Sequence, residues 1–375
     1  MSATSEWASV LVEARRVAAD IAGLLGVEVD AATILTRRAA VMNLAGPGRT
    51  SAGGATRLLR TVDGWCAVAL PRDDDVAALP ALMEVDTVTG DPWAVLSRWA
   101  ATHSTDEVVD RARLFDIAVA ALGEAAAEPP TVRRCGTSTS TGPRRPDGLL
   151  VADLSSLWAG PLCGQLLARA GAVVVKVESP SRPDGTRRGE PAFFDWMNAG
   201  KLSYCVDFDS ESDALRRLLD VADIVIEGSR PAALRRRGLS AEDLASRKGR
   251  IWLRISGYRD QPDRPAFGDD AAVAGGLVGG GADGPVFRGD AIADPLSGLE
   301  AARAVGESLR RGGGEVVEVS MAQVAARYAA LTQSPDSDAP AESPTLPPAV
   351  PPASPLGADN AAVELLVSER LCAPC

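Results

Sequence analysis

The chain has 375 residues, 39 basic against 50 acidic side chains, a net charge of −11 and 46% hydrophobic residues, which is room for two domains with a substantial core. That acidity argues against nucleic acid as the main partner, although a small polyanion needs only a local basic patch. Aromatics are 4% against 36 Gly and 26 Pro, as in an Ala/Gly/Val-rich α/β enzyme, and the single histidine, His103, argues against His-rich metal sites and is the residue through which any Ser–His mechanism would have to run.

In chain order, residues 5–44 read as helical, with Val10, Leu11, Val17, Ile21, Leu24 and Leu25 at mostly helical spacing. Gly46-Pro47-Gly48 and Gly53-Gly54 then punctuate a loop. Residues 57–70 read as two short strands turning at Asp63-Gly64. Helices are expected near 73–83, 91–101 and 104–123, with Ser104 as a cap, so residues 1–130 are expected to form a small α+β domain with N-terminal helices. Residues 131–148 are Ser/Thr-rich and Pro/Gly-punctuated and read as a linker.

From residue 149 the character changes. LLVADL (149–154) and AVVVKVE (172–178) read as buried strands around a helix with Pro161 near its first turn. Strand SYCVDF, a helix from Ser210, strand DIVIE (223–227), helices across 231–248 and strand IWLRIS (251–256) continue the alternation. Ser210 and Ser240, each followed three residues later by an Asp, are near-matches to a capping box. A Gly-rich stretch, a helix over 295–311, strand EVVEV (315–319) and a helix over 320–331 complete a large domain, 149–332. The expected class is α/β, a Rossmann-like, mostly parallel sheet plus the smaller α+β domain. Residues 335–355 hold eight prolines and read as extended, followed by a helix over 358–370 within a C-terminal segment, 333–375.

The first strand–helix loop, SSLWAGPLCG, has no G-x-G-x-x-G, and no Walker A lysine loop is present, so NAD is not expected. The six cysteines are scattered, and Cys372 and Cys375 make one C-x-x-C without a second pair, so no metal is expected and the end reads as a plain tail. The start has no signal-peptide pattern and no apolar run reaches about 20 residues, so a cytoplasmic protein away from membranes is expected.

VADLSSLWAGPLCGQLLARAGAVVVKVESP resembles the opening of the class III CoA-transferases, the family of formyl-CoA transferase, carnitine CoA-transferase and α-methylacyl-CoA racemase. FFDWMNAGKLSYCVDFDSE, ADIVIEGSRPAALRRRGLS, ISGYRDQ and GGGEVVEVSM extend the resemblance in order. GGATRLLRTVDGWCAVAL resembles the start of the family's small domain, which ordinarily follows the large one. Here it comes first, so the resemblance implies a circular permutation, although PLGADNAAVELL is similar to the family's closing helix.

The resemblance implies a large domain that binds CoA and CoA transfer from an acyl-CoA to a carboxylic acid through a covalent aspartyl intermediate. In GDAIADPLSGLEAA it puts Asp294 at the nucleophile's position, although Asp followed by Pro is also what an ordinary helix N-cap looks like. Asp270 takes a supporting catalytic role or is a solvated turn residue. Asp269 stands where racemases of the family carry His, which disfavours a racemase or other enolisation enzyme. Gly53 and Gly54 are candidates for a loop shielding the intermediates and donating to an oxyanion, or form a plain turn. For the CoA phosphates the candidates are Arg182, Arg187, Arg188, Lys201 and the run Arg235–Arg237, with Arg236 in the family's register. Ser229 lies in a departure from the family pattern beside the CoA site, as does the Leu202 after Lys201. These departures leave open an acyl-CoA-binding pseudo-enzyme. Trp158 stands at an acyl-pocket position or is core. The family resemblance also implies a homodimer of interlocked chains.

Overall fold

In the computed structural model, which describes residues 3–44, 48–139, 142, 144–228, 230–331 and 350–372, the chain opens with α1 (Ala3–Leu25) and α2 (Ala31–Val41). Asp30 caps α2, accepting from the Ala32 N–H. Strands β1 (Thr56–Arg60) and β2 (Trp65–Ala69) pair antiparallel, and the Thr61 hydroxyl accepts from Gly64 in the expected Asp63-Gly64 turn. Helices α3 (Asp73–Ala77), α4 (Leu79–Met83), α5 (Pro92–Ala100) and α6 (Thr105–Leu114) follow, the last with the expected Ser104 cap completed by Glu107. The helix expected to 123 stops early. Asp116 takes φ +56°, and the next residues form β3 (Ala118–Ala121) against β2.

The second half contains β4 (Thr131–Arg134), β5 (Leu150–Asp153), α7 (Ala159–Arg169), β6 (Val173–Glu178), α8 (Pro191–Asn198), β7 (Leu202–Cys205), α9 (Ser212–Val221), β8 (Ile224–Glu227) and α10 (Pro231–Arg235). It continues with β9 (Ile251–Ser256), α11 (Gly268–Ala274), the small hairpin β10 (Gly279–Gly281) and β11 (Gly284–Val286), α12 (Ala293–Arg310), β12 (Glu315–Ser320), α13 (Met321–Leu331) and α14 (Asn360–Cys372). Seven strands form one sheet in the order β4-β12-β9-β8-β5-β6-β7, parallel throughout except β4. The stretch read as a linker therefore contributes an antiparallel edge strand, its backbone paired with β12. The helices expected across 231–248 reduce to α10, since Gly238 turns left-handed at φ +62° and the Ser240–Asp243 hydrogen bond closes a turn. At the other near-match, Glu211 rather than Ser210 precedes α9, with no side-chain cap bond.

Strand side chains alternate between two cores, as the two-residue pleat requires. Val151, Val174, Ile224, Ile226, Ile251, Leu253 and Val317 face α1, α2, α7, α12 and α13, while Leu150, Ala152, Val175, Val225, Trp252 and Val316 face α9 and α14. The helices α1 and α2, grouped by sequence with the small domain, thus pack instead on helices of the large domain, α1 on α12 and α13 and α2 on α12 and α8. Gly306 of α12 makes this possible, since a Cβ there would come within 2.9 Å of Leu24. The small sheet β1-β2-β3 has its own core with α4, α5 and α6, and meets the large layer across α11.

Successive crossovers run from β5 outward to β6 and β7, then back through β8, β9 and β12. The strand order therefore reverses between β5 and β8, and in such sheets ligands bind outside the carboxyl ends at that crevice. Among the described residues no helix is long and apolar enough to cross a membrane.

Candidate active site

Four carboxyls gather where α11, the turn before α12 and the loop before β1 converge. Asp294 lies in the first turn of α12, but Ile292 is the cap residue, so the carboxyl does not cap its own helix. It turns instead toward α11 and accepts from the Gly268 N–H. Gly268 has to be glycine, because a Cβ would stand 2.4 Å from the Asp294 Oδ2 and 2.4 Å from the Ala291 carbonyl. Ala291 is held left-handed at φ +43°, a strained setting for a residue with a Cβ, and its N–H donates to Asp269 Oδ1 at 3.1 Å. One strained turn thus delivers both Asp290 and Asp294 to Asp269.

Among the described residues, the Arg38 guanidinium answers the charge of Asp269, Asp290 and Asp294, while Arg264 acts on Asp270. Arg38 of α2 donates from Nη1 to Asp290 and lies over the rings of Trp158 and Phe193, 5.6 Å and 5.5 Å from their centroids. Burial, with the neighbouring Asp269 and Asp290 charges, pushes Asp294 up to about 7 despite Arg38. Asp269 rises to about 6, chiefly by burial and the Asp290 charge, and Asp290 is also raised by burial. Asp270 is fully buried and reaches about 8. Burial dominates there, one oxygen accepts from the Phe267 N–H at 2.7 Å, and the other has no partner. It is no solvated turn residue. Asp294 and Asp269, unlike Asp270 and Asp290, are only partly buried as whole residues. Among the described residues no His, Cys, Asp or Glu group could hold a metal ion.

The glycine loop does reach this cluster. Ser51 hydrogen-bonds Asp269, Thr56 Oγ1 donates to Asp269 Oδ2 at 3.4 Å, and a Cβ on Gly53 would sit 3.6 Å from Arg38 Nη2. Gly54 is different. Its N–H already donates to the Ser51 carbonyl at 2.9 Å, so its amide is taken and its φ of +80° shapes the turn. Trp158 is only 2% exposed, packs edge-on to Phe193 and forms one wall of the cluster.

Residues 147–355, more than half of the chain, match the model of CoA-transferase family III. The chain belongs to this family. It is 34% identical over 204 residues to a succinyl-CoA–D-citramalate CoA-transferase of Chloroflexus aurantiacus, covering 49% of this chain and 51% of that protein. It is 30% identical over 207 residues to an acetyl-CoA:oxalate CoA-transferase of Acetobacter aceti, with 49% and 53% covered. A crystal structure of a hypothetical protein from Mycobacterium tuberculosis aligns at 33% identity with a TM-score of 0.44, over 50% of this chain and 56% of that one. The chain spans about half the length of the curated relatives it matches.

Of the CoA-binding residues expected in such a family member, two are committed elsewhere. Lys201 is 3% exposed and donates to Asp153 Oδ2 at 2.8 Å, the Pro161 carbonyl at 2.9 Å and Asn198 Oδ1 at 3.1 Å. All three ammonium donors are used inside the fold, so it is no phosphate ligand. Arg187 grips Glu178 through Nε and Nη2, the shortest contact being 2.6 Å, and stacks on Phe194. Arg182, Arg188, Arg235 and Arg236 are exposed, and Arg182 and Arg236 follow the carboxyl ends of β6 and β8. Ser229 lies outside the described residues. Arg38, Asp290, Ser51 and Thr56 were missed by sequence reasoning. Asp290 could have been found from its spacing four before Asp294, but Arg38 is 252 residues from its partner and gives no local signal.

Proposed function

We propose that this chain is an acyl-CoA:carboxylate CoA-transferase with Asp294 as its covalent nucleophile. The observation that carries the reading is a carboxyl, raised to about 7, that lies within a family III match, at the position the resemblance gives the nucleophile, beside a guanidinium and a glycine loop. Near neutral pH such a carboxylate is available as an anion yet poorly solvated, which favours attack.

In the first half-reaction Asp294 Oδ attacks the thioester carbonyl, the C–S bond breaks, and a mixed anhydride and CoA thiolate form. The thiolate then attacks the aspartyl carbonyl of the anhydride and expels the donor's carboxylate, leaving an aspartyl-CoA thioester. The acceptor carboxylate attacks that thioester, giving a second anhydride and thiolate. Attack of the thiolate on the acceptor's carbonyl yields the new acyl-CoA and frees Asp294. No net proton is gained or lost. The Gly53 N–H is suited to the tetrahedral oxyanions. Arg182 and Arg236 are the exposed cations we assign to the CoA phosphates, with Trp158 lining the acyl side.

The same reading treats the β1–β3 unit as the family's small domain in permuted order. The contacts of Ser51 and Thr56 with Asp269 favour this, because they bring that unit's first loop to the nucleophile. A homodimer is part of the proposal, and light scattering tests it. The function is tested by incubating the protein with acetyl-CoA or succinyl-CoA and a carbon-labelled acid panel containing oxalate and glutarate. Labelled acyl-CoA is the expected product. Solvent deuterium entering the α-carbon of the acyl group, with no acid required, would replace transfer by enolisation.

A further inference from the structure

Among the described residues Asp269, Asp290 and Asp294 share one cation, Arg38, and that cation is only half used. Arg38 donates from Nη1 to Asp290, and among the described residues Nη2 has no hydrogen-bond partner. The side chain keeps 20% of its surface exposed, whereas Asp290 keeps 2%. Nη2 borders the exposed Gly53, which leaves the space in front of it open. A second donor in the same assembly is idle, for the indole N–H of Trp158 is buried without a partner in the ring under Arg38. Asp290 Oδ2 is likewise buried and unpartnered, so Asp290 holds the guanidinium by one oxygen only.

Any acid that takes over CoA has to bring an anion up to a site that already holds Asp269, Asp290 and Asp294. Without a cation at the point of entry, like charges repel it. A guanidinium fork can hold one carboxylate on each side. We propose that Arg38 binds the carboxylate of the incoming acid through its Nη2 side, with Asp290 as the positioning residue that holds the guanidinium over Trp158 and Phe193. The acceptor class is then an acid admitted by its carboxylate at the Gly53 loop, next to Asp294. The same contact aims a carboxylate oxygen at the aspartyl-CoA carbonyl and lowers the repulsion on approach.

This inference rests on the transferase reading, so the two halves of the reaction are measured separately in the full chain. The first is formation of the covalent adduct from acetyl-CoA or succinyl-CoA without acceptor. The second is acceptor-dependent turnover with oxalate or glutarate. Loss of Arg38 also removes a charge that lowers Asp294, so the first half-reaction is compared at about pH 9, where the nucleophile is ionised in both proteins. Arg38→Gln is expected to raise the KM for the acceptor at least about tenfold there, while the KM for acyl-CoA changes little. Arg38→Lys, which keeps the charge but not the fork, falls between. Guanidinium ion added to Arg38→Ala restores acceptor-dependent turnover. Asp290→Asn raises the acceptor KM less than Arg38→Gln does.

An unchanged acceptor KM in an Arg38→Gln variant that still melts cooperatively would overturn the proposal, and so would a KM for acyl-CoA raised as much as that for the acceptor. Absence of both adduct and exchange in the unmodified protein would instead remove the transferase reading, and this inference with it.

Discussion

Two groups of buried carboxyls in this molecule have opposite chemistry. Below the carboxyl end of β5, Asp153 meets Lys201 at 2.8 Å, and Asp184 meets Lys176 at 2.8 Å. Burial opposes ionisation of both aspartates, but the lysine charges win and hold them below the ordinary carboxylate range. Across the same edge of the fold, Asp269, Asp290 and Asp294 share one arginine and all are raised. The residue type is the same in the two places, and burial opposes ionisation in both. The ratio of cations to carboxylates differs, and it separates a carboxylate locked into the framework from one left reactive near neutral pH.

The largest effect that would sharpen this contrast is at Asp294. Asp294→Asn is expected to lower turnover on the order of 10³-fold or more, as loss of a covalent nucleophile does, while the fold persists because the variant removes a raised, repelled charge. A variant retaining most activity would erase the distinction between the two groups. Next comes the framework. Lys201→Met takes from the buried Asp153 its ion-pair partner, leaving Lys176 and Ser155 near it, and a loss of about 3 kcal/mol in urea unfolding is expected, with the KM for acyl-CoA unchanged in whatever remains folded. A raised KM without loss of stability would restore Lys201 as a CoA ligand.

Acidity tests both groups at once. In the unfolded chain the three aspartates titrate near the ordinary carboxylate value of about 4. Folded, Asp269, Asp294 and Asp270 keep their protons up to about 6, 7 and 8. The folded state therefore binds more protons in that window, and stability falls as pH rises through it. Asp153 and Asp184, held low, act in the opposite sense and lose their stabilisation only as pH falls below the ordinary carboxylate range. Melting curves should thus decline from about pH 5 to 9, and Asp270→Asn should flatten the upper part of that decline. Meanwhile adduct formation should rise with pH through about 7 as Asp294 ionises. Melting that improves steadily across the window would contradict the raised values.

The smallest effects belong to the exposed arginines. Arg182→Ala and Arg236→Ala should each leave stability within about 0.5 kcal/mol and raise the KM for acyl-CoA a few-fold, with less effect in high salt. Kinetics unchanged by the double substitution would remove them from the CoA site.

What the sequence made legible follows from the range of the forces involved. Alternating strands and helices, the Asp63-Gly64 hairpin and the Ser104 cap depend on neighbours a few residues apart, and they appear where expected. Strand β3 was hidden because four Ala and Val residues after a helix carry no signal of their own, and only the pairing with β2 makes them a strand. The membership of α1 and α2 in the large layer depends on contacts with α12, hundreds of residues later. At the site, Asp294 could be read from its motif and Asp270 was named with it. Their state could not, since burial and the approach of Arg38 are tertiary facts. Lys201 shows the converse, for nothing in its own segment reveals that Asp153, 48 residues earlier, takes its charge.

The most direct measurement is intact-mass and peptide-mapping spectrometry of the protein after brief exposure to acetyl-CoA or succinyl-CoA, before and after hydroxylamine. Asp294 as nucleophile predicts a CoA-sized, hydroxylamine-sensitive addition on the peptide that contains it, absent from Asp294→Asn. The same addition on another residue, or its survival in Asp294→Asn, would contradict that assignment.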